Sequence, residues 1–297
     1  MNISTILNLR QNVITKGEVG IEIELEGDNL PSGEQVHPHW RREHDGSLRP
    51  SPDAAEYVFR KPLKKEKAKE ALSLMSEKFR EMGTTDCESG RAGVHVHVNC
   101  QDLKIHELAN FICLYLVMED MLVRFCGKDR VGNLFCLRAV DAEYLITCLH
   151  QAFSSQDLTQ LNSDEFRYAS MNVRSLFQYG SLEFRAMRST LDMQVIEQWM
   201  EILLRLRDAA KEYEDPCHIM FSISNEGPND FCRRILGDYS DTLIDLGGCE
   251  FEVMQNMRNI QDIAYLVDWE GIKAPKKMVG GVEFPEEFED DFPLMDL

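Results

Sequence analysis

The chain has 297 residues, 43% of them hydrophobic and 28% charged, so it can bury a large core and is not disordered by composition. Its 32 basic and 51 acidic residues give a formal net charge of −19, which argues against binding to duplex nucleic acid because phosphate contacts need a basic surface. The sequence contains no run of about 18 apolar residues and no Cys-x-x-Cys pair, so we expect a cytoplasmic protein without a membrane span or disulfide bonds.

Four short segments alternate apolar residues with charged or polar ones, which is the pattern of a strand with one buried face. The first segment, residues 19–26, places Glu22, Glu24 and Glu26 opposite its aliphatic side chains. The same alternation recurs around Glu56, in residues 94–99 and in residues 182–187. The polar faces of the last two segments carry His95, His97, Asn99, Glu183 and Arg185.

Helical periodicity is found between and after these strands. Apolar residues at three- and four-residue spacing predict a helix over residues 64–82, which Gly83 is placed to end. Further helices are predicted from Asp102 to about Phe125, from Asp141 to about Phe153, and from Asp192 to about Tyr213, with shorter ones near 229–236 and 254–268.

The polar faces of the strands predict a site for a divalent cation. Neighbouring strands lie about 4.8 Å apart, so carboxylates and imidazoles on one face of a shared sheet would converge within a few ångströms. Carboxylates that close repel one another unless a cation lies between them. Oxygen ligands with one or two imidazoles suit Mg²⁺ or Mn²⁺ better than zinc. Arg185, beside Glu183, would bind a transferred phosphoryl group, although the chain has no Walker loop.

Two further segments carry weaker signals. Asp45-Gly46 is typical of a hairpin turn, and residues 167–174 are predicted as a strand whose arginines could bind phosphate or a substrate carboxylate.

In their order along the chain, these segments resemble the amidoligase family, within the group built on the catalytic fold of glutamine synthetase and glutamate–cysteine ligase. The matching segments lie within residues 18–192 and read VGIEIELEG, HDGSL, AAEYVFRKPL, GVHVHVN, RYASMNVRS and LEFRAMRSTLD. The resemblance implies an α+β fold in which a curved antiparallel sheet has helices on its convex face and the active site on its concave face. It also implies ATP- and Mg²⁺-dependent joining of a carboxylate to an amine through an acyl phosphate.

The resemblance also implies roles for individual residues. The metal ligands would be Glu22, Glu24, Glu56, His95 and Glu183. Contacts to the nucleotide would come from His97, Arg167, Arg174 and Arg185, and contacts to the substrates from Asp45, Ser47 and Asn172. The catalytic set would be Glu22, Glu24, Glu183 and Arg185. The substrates would be small-molecule or peptide carboxylates and amines, whose identity the sequence does not reveal.

The chain is predicted to have three parts. Residues 1–215 would form the catalytic domain, residues 216–282 a helical extension packed on it, and residues 283–297 a tail with seven acidic residues, no basic residue and three phenylalanines. The tail is either a solvated segment or one that docks on a protein partner or a second copy of the chain.

Two other functions stay open at this point. His95 and His97 could belong to a hydrolytic zinc site that His37, His39 or His44 would complete, because such a site needs about three protein ligands. Alternatively, the chain could be an assembly or regulatory protein that retains the ligase scaffold and uses its acidic tail for docking.

Overall fold

The computed structural model describes residues 1–44, 46, 48, 53–87, 89–142, 144–245 and 247–274, together with the backbone of residues 277–279 and 282–284. The strands are β1 (Val19–Gly27), β2 (Trp40–Glu43), β3 (Asp53–Phe59), β4 (Gly93–Asn99), β5 (Met171–Asn172), β6 (Ser181–Arg188), β7 (Lys277–Val279) and β8 (Val282–Phe284). The helices are α1 (Ile3–Ile6), α2 (Lys65–Met82), α3 (Ile105–Cys126), α4 (Leu145–Ser154), α5 (Ser175–Tyr179), α6 (Met193–Ala210), α7 (Pro216–Glu226), α8 (Pro228–Leu236), α9 (Ser240–Ile244), α10 (Cys249–Leu266) and α11 (Trp269–Lys273).

The fold is α+β, about half helical, and its main sheet has six antiparallel strands in the order β2-β3-β1-β4-β6-β5. The sheet is open rather than closed into a barrel. Strand β1 lies near its middle, hydrogen-bonded to β3 on one side and β4 on the other. The period-two pattern is confirmed, because the side chains of Val19, Ile21, Ile23 and Leu25 in β1 are completely buried.

Helices cover the apolar face of the sheet. Helix α6 packs on β4 and α3 packs on β6, while α2 and α3 both contact α6. Helix α3 is central as predicted, because α10 packs on its outer side and most of its residues are buried. Burying apolar residues all around a helix in this way removes a large apolar area from water. Each Å² of that area stabilises the folded state by roughly 25 cal/mol.

Two of the predicted helix starts are wrong. Helix α3 begins at Ile105, with Lys104 at its cap, whereas Asp102 accepts hydrogen bonds from Arg207 of α6 and from Lys211, which follows that helix. Helix α4 begins at Leu145 rather than at Asp141, which accepts a hydrogen bond from Arg138 instead. In both places an arginine competes for the carboxylate that would otherwise cap the helix.

Other helix predictions hold more closely. Helix α2 ends at Gly83, which has a positive φ of 61°, a conformation that glycine adopts without strain. Asp192 caps α6 by accepting from the backbone N–H of Gln194 and Val195. Helix α7 was not predicted, although Asp215 before Pro216 is a typical helix start.

The segment 167–174 is not the continuous strand that was predicted. Residues 164–168 form a 3₁₀ helix, β5 has only two residues, and α5 follows from Ser175. Asp45 and Ser47 lie outside the described residues, as does the tail beyond Phe284. Within the part of the chain that is described, no helix combines the length and apolarity needed to cross a bilayer.

Candidate active site

The register of the sheet brings the predicted polar residues together on one face. Glu22 of β1 is the direct partner of His95 in β4, and His97 of β4 is the partner of Glu183 in β6. On the other side of β1, Glu24 lies opposite Glu56 of β3. Directly opposed side chains in an antiparallel pair lie about 5 Å apart, so this register creates one cluster.

The side chains of this cluster are within contact distance of one another. His97 Nε2 lies 3.3 Å from Glu22 Oε1, and His95 Nδ1 lies 3.2 Å from Glu22 Oε2. His95 Nδ1 is also 3.6 Å from Glu183 Oε1, and His95 Nε2 is 3.7 Å from Glu24 Oε1. The two histidines therefore bridge carboxylates from three positions on two strands.

The ring of His97 is held from behind by two hydroxyl groups. Its Nδ1 atom lies 3.1 Å from Ser175 Oγ and 3.2 Å from Ser181 Oγ, which are 3.0 Å from each other. Partners of this kind fix the tautomer and orientation of a ligand imidazole. Sequence reasoning did not select either serine, although Ser181 stands two residues before Glu183 on the same face of β6.

The cluster favours the charged forms of Glu22 and His97. Burial by itself raises the pKa of Glu22, but hydrogen bonds and positive charge from His95 and His97 hold that pKa well below its ordinary value. Burial lowers the pKa of His97, yet the Glu22 carboxylate, through its hydrogen bond and charge, leaves that pKa above its usual range. When His97 is protonated, it is one counter-charge to Glu22.

Glu183 is a buried carboxylate of this cluster, at 6% exposure. Burial raises its pKa, but the charge of Arg185, followed by His97 and His95, brings the pKa below its ordinary value. Arg185 Nη1 donates to Glu183 Oε1, while Asn172 Nδ2 of β5 donates to Glu183 Oε2 at 2.6 Å. Asn172 was assigned to substrate, and here it orients this carboxylate.

Glu24 and its neighbours form the far end of the same face. Glu24 is 4% exposed, and its Oε2 accepts from the backbone N–H of Gly93 at 2.8 Å. Burial raises the pKa of Asp86 to about 6, despite a hydrogen bond from Ser189 that lowers it, and the charge of Glu26 adds to the rise. The row of buried carboxylates therefore extends along β1 to Glu26, which is 2% exposed.

Three ligand atoms at the centre of the cluster fit a single cation. Among the described residues, one ligand atom each from Glu22, His97 and Glu183 lies within 4.8 Å of the other two. Adjacent ligands of an octahedral ion with bonds of about 2.1 Å are about 3 Å apart, so small side-chain adjustments would bring all three atoms onto one ion. The donor set of two carboxylates and one imidazole suits Mg²⁺ or Mn²⁺.

A cavity of about 240 Å³ adjoins this group and contains Glu22 and His97 in its wall. Its lining combines three basic residues with a second carboxylate, that of Glu18, an aromatic ring and a glycine. The lining includes Arg41, Arg60, Lys61, Tyr179 and Gly20. A larger groove of about 710 Å³ lies between α2, α6 and α8, but its lining includes neither His97 nor Glu183. Of these two, we take the smaller cavity as the candidate site because it adjoins the cluster.

The other predicted site residues lie elsewhere or make other contacts. Arg174 pairs with Asp164 at 3.0 Å, and the guanidinium of Arg167 lies over the ring of Tyr168. Glu56 faces Glu24 across the strands, whereas Asp45 and Ser47 lie outside the described residues. Among the residues that are described, the three-ligand group does not include His37, His39 or His44, on which a zinc site would depend.

Arg130 is a buried residue that bonds the backbone of β6 next to the cluster. It was not predicted from the sequence. It is 1% exposed, and its guanidinium donates to the backbone carbonyls of Arg185 and Ala186, each at 3.0 Å. These carbonyls lie where the register of β4 and β6 shifts between Val94 and Val96. Bulges of this kind re-aim side chains near active sites, and Arg130 supplies donors at that point.

The fold and the cluster define an α+β protein with a carboxylate- and imidazole-bearing sheet face. A family model described as "Putative amidoligase enzyme" matches residues 60–207, which covers β4 to β6 and α2 to α5, together with most of α6. The chain belongs to this amidoligase family, whose name indicates an amide-bond ligase. No curated protein matches the chain. The matched span begins after β3, so Glu22 and Glu24 lie outside it.

Proposed function

We propose that the protein is an ATP- and Mg²⁺-dependent ligase that joins a carboxylate to an amine. The observation that carries this proposal is the convergence of Glu22, His97 and Glu183 beside a cavity whose lining includes three basic residues. Family membership supports amide-bond formation, and the donor set suits the cation that accompanies nucleotide phosphates. On this proposal, the open antiparallel sheet is a glutamine synthetase-like catalytic sheet, and residues 1–215 form the catalytic unit.

The reaction would proceed in two balanced steps. A carboxylate oxygen of the acid attacks the γ-phosphorus of ATP, and the bond to the bridging oxygen breaks, giving ADP and an acyl phosphate. The amine nitrogen then attacks the acyl carbon, phosphate leaves with the electron pair, and the amine loses one proton. A bound Mg²⁺ would neutralise phosphate charge during the first step.

The chain's own residues would bind and orient the reactants. Glu22, His97 and Glu183 would hold the cation, and Glu24 and His95 lie close enough to extend the set. Glu56, opposite Glu24 on β3, would be a further ligand. Arg185 would contact a phosphate, and the basic lining residues Arg41, Arg60 and Lys61 would bind an anionic end of the nucleotide or of the acid. The cavity is smaller than the roughly 300–1,000 Å³ of sites that enclose a whole ligand, so part of the ligand would remain exposed.

Hydroxylamine tests this proposal without knowledge of the natural amine, because it captures an acyl phosphate as a hydroxamate. The full chain would be incubated with ATP, Mg²⁺, hydroxylamine and a panel of amino acids, dicarboxylic acids and short peptides. We expect at least one acid to yield hydroxamate and phosphate in equal amounts. Glu183→Gln should lower that rate at least about 100-fold. Glu197→Gln, the same change on α6 where Glu197 pairs with Lys69, is the matched control and should not lower it.

Two results would contradict the proposal: phosphate release that no acid stimulates, or hydroxamate formation that survives in the Glu183 variant. The acidic tail as a docking segment for a partner, and the cytoplasmic location, stay predictions beside it.

A further inference from the structure

Arg185 contacts side-chain atoms that would also be ligands of the cation. Its Nη1 donates to Glu183 Oε1 and lies 3.4 Å from His95 Nδ1. The second oxygen of Glu183 is already bonded by Asn172. Both oxygens of this carboxylate therefore have donors, and a cation that binds Glu183 must replace one of them or share an oxygen with it.

The same arginine has a donor without an acceptor. Its Nε–H is buried and has no hydrogen-bond partner among the described residues. A buried donor without a partner is unfavourable, so the guanidinium is only partly satisfied in this position. An entering anionic oxygen would supply the acceptor, and the forked geometry of arginine matches phosphate well.

We infer that Arg185 and the divalent cation compete for Glu183, so that Arg185 serves as the counter-ion of the carboxylate cluster whenever the cation is not bound. This inference rests on the proposed cation site. It predicts that the cation binds more weakly to the protein alone than its ligand set would allow. Phosphate oxygens of the nucleotide would give the displaced guanidinium a new acceptor, so nucleotide and cation would favour each other's binding.

Mn²⁺ alone is the probe that tests the competition, because free Mn²⁺ can be counted by electron paramagnetic resonance without nucleotide. We expect Arg185→Met to bind Mn²⁺ about tenfold more tightly than the natural protein, since Glu183 is released. Removing any nearby positive charge also favours a cation, so a matched control is needed. Arg188→Met removes a guanidinium from the same strand, where it bonds the carbonyl of Cys126 at 3.1 Å, and should change the affinity less than about threefold.

Thermal unfolding gives a second readout. In chelator, Arg185→Met should unfold at a lower temperature than the natural protein, because Glu183 then lacks the guanidinium that pairs with it. Mn²⁺ should raise its unfolding temperature more than that of the natural protein. If Arg185→Met does not fold, Arg185→Lys, which keeps the charge but not the fork, should show the same tightening to a smaller extent.

Equal or weaker Mn²⁺ binding by the variant, with clear binding by the natural protein, would overturn the competition and leave the proposed function standing. An Arg188 variant that tightens binding as much as the Arg185 variant would also overturn it, because unspecific charge would then explain the effect. Failure of both proteins to bind Mn²⁺ would reject the cation site itself, and the inference with it.

Discussion

Two buried carboxylates on opposite sides of the sheet differ in almost every respect that determines ionisation. Glu183 lies on the polar face next to Arg185 and two histidines, and its pKa is lowered despite burial. Glu119 lies within α3 at 4% exposure, where it accepts hydrogen bonds from the backbone N–H of Ala139 at 3.0 Å and from the hydroxyl of Ser170. Burial raises the pKa of Glu119 to about 7, although these two hydrogen bonds lower it.

The comparison separates a structural carboxylate from a candidate ligand. Neutral donors satisfy the oxygens of Glu119 but do not offset the cost of removing its charge from water. Cationic partners keep Glu183 ionised, which is the form that a metal ion needs. The charge of the neighbours, rather than burial, distinguishes the two sites.

The largest expected effect is on cation binding. Glu183→Gln removes one charged ligand from the three-ligand group, so we expect the affinity for Mn²⁺ to fall about 100-fold. Glu119→Gln, the same change on the other side of the sheet, should leave the affinity within about twofold. Titration of both variants with Mn²⁺ checks this, and similar losses in the two would remove the distinction between the sites.

The next effect is on stability as a function of pH. The folded protein holds the Glu119 proton up to about pH 7, whereas the unfolded chain loses it near pH 4.5. The folded state therefore binds more protons over this range, and its stability falls as pH rises. Relative to Glu119→Gln, the natural protein should lose about 2 kcal/mol of unfolding free energy between pH 5.5 and pH 8.

Urea unfolding of both proteins at several pH values measures this difference. Parallel curves for the natural protein and the Gln variant would mean that Glu119 titrates normally in the folded state, contrary to the expectation.

A smaller effect on Mn²⁺ affinity is expected from removing the serine hydroxyl that bonds His97, compared with the one that bonds Glu119. Ser181→Ala removes one of the two groups that fix the ring of His97, so Mn²⁺ affinity should fall about tenfold. Ser170→Ala acts only on Glu119 and Tyr115, and should leave Mn²⁺ affinity unchanged. A loss with Ser170→Ala comparable to that with Ser181→Ala would show that the two regions are coupled through the sheet.

The smallest effect serves as a baseline outside both regions. Asp192→Ala removes the N-cap of α6 and should lower the unfolding free energy by about 1 kcal/mol. Mn²⁺ affinity should not change. If it does, general destabilisation rather than loss of particular contacts would have to explain the preceding results.

The strands and the composition of their polar face could be predicted from the sequence because alternation is a local property. The period of two places Glu22, His95, His97 and Glu183 on the polar faces of their own strands, whatever the order of the strands in the sheet. The pairing of Glu22 with His95 and of His97 with Glu183 could not be predicted, because register depends on strands separated by about 80 residues in the chain.

Residues that act through long-range contacts were the ones that escaped prediction. Arg130 lies in a short 3₁₀ segment, where an arginine is ordinarily exposed, and its burial is explained by distant carbonyls, those of β6 and of Ala92. Asp102 has a typical capping residue type, but Arg207 of α6 takes its carboxylate. Predictions from neighbouring residues in the sequence do not take such distant hydrogen-bond partners into account.

The position of β1 has a practical consequence for work with fragments. A polypeptide trimmed to residues 60–207, the span that defines family membership, would keep β4 but lose the strand that pairs along one side of it. The exposed edge would invite intermolecular pairing and aggregation. Such a fragment would also lack Glu22, so the boundary of the shared sequence signature is not the boundary of the unit that can fold and bind.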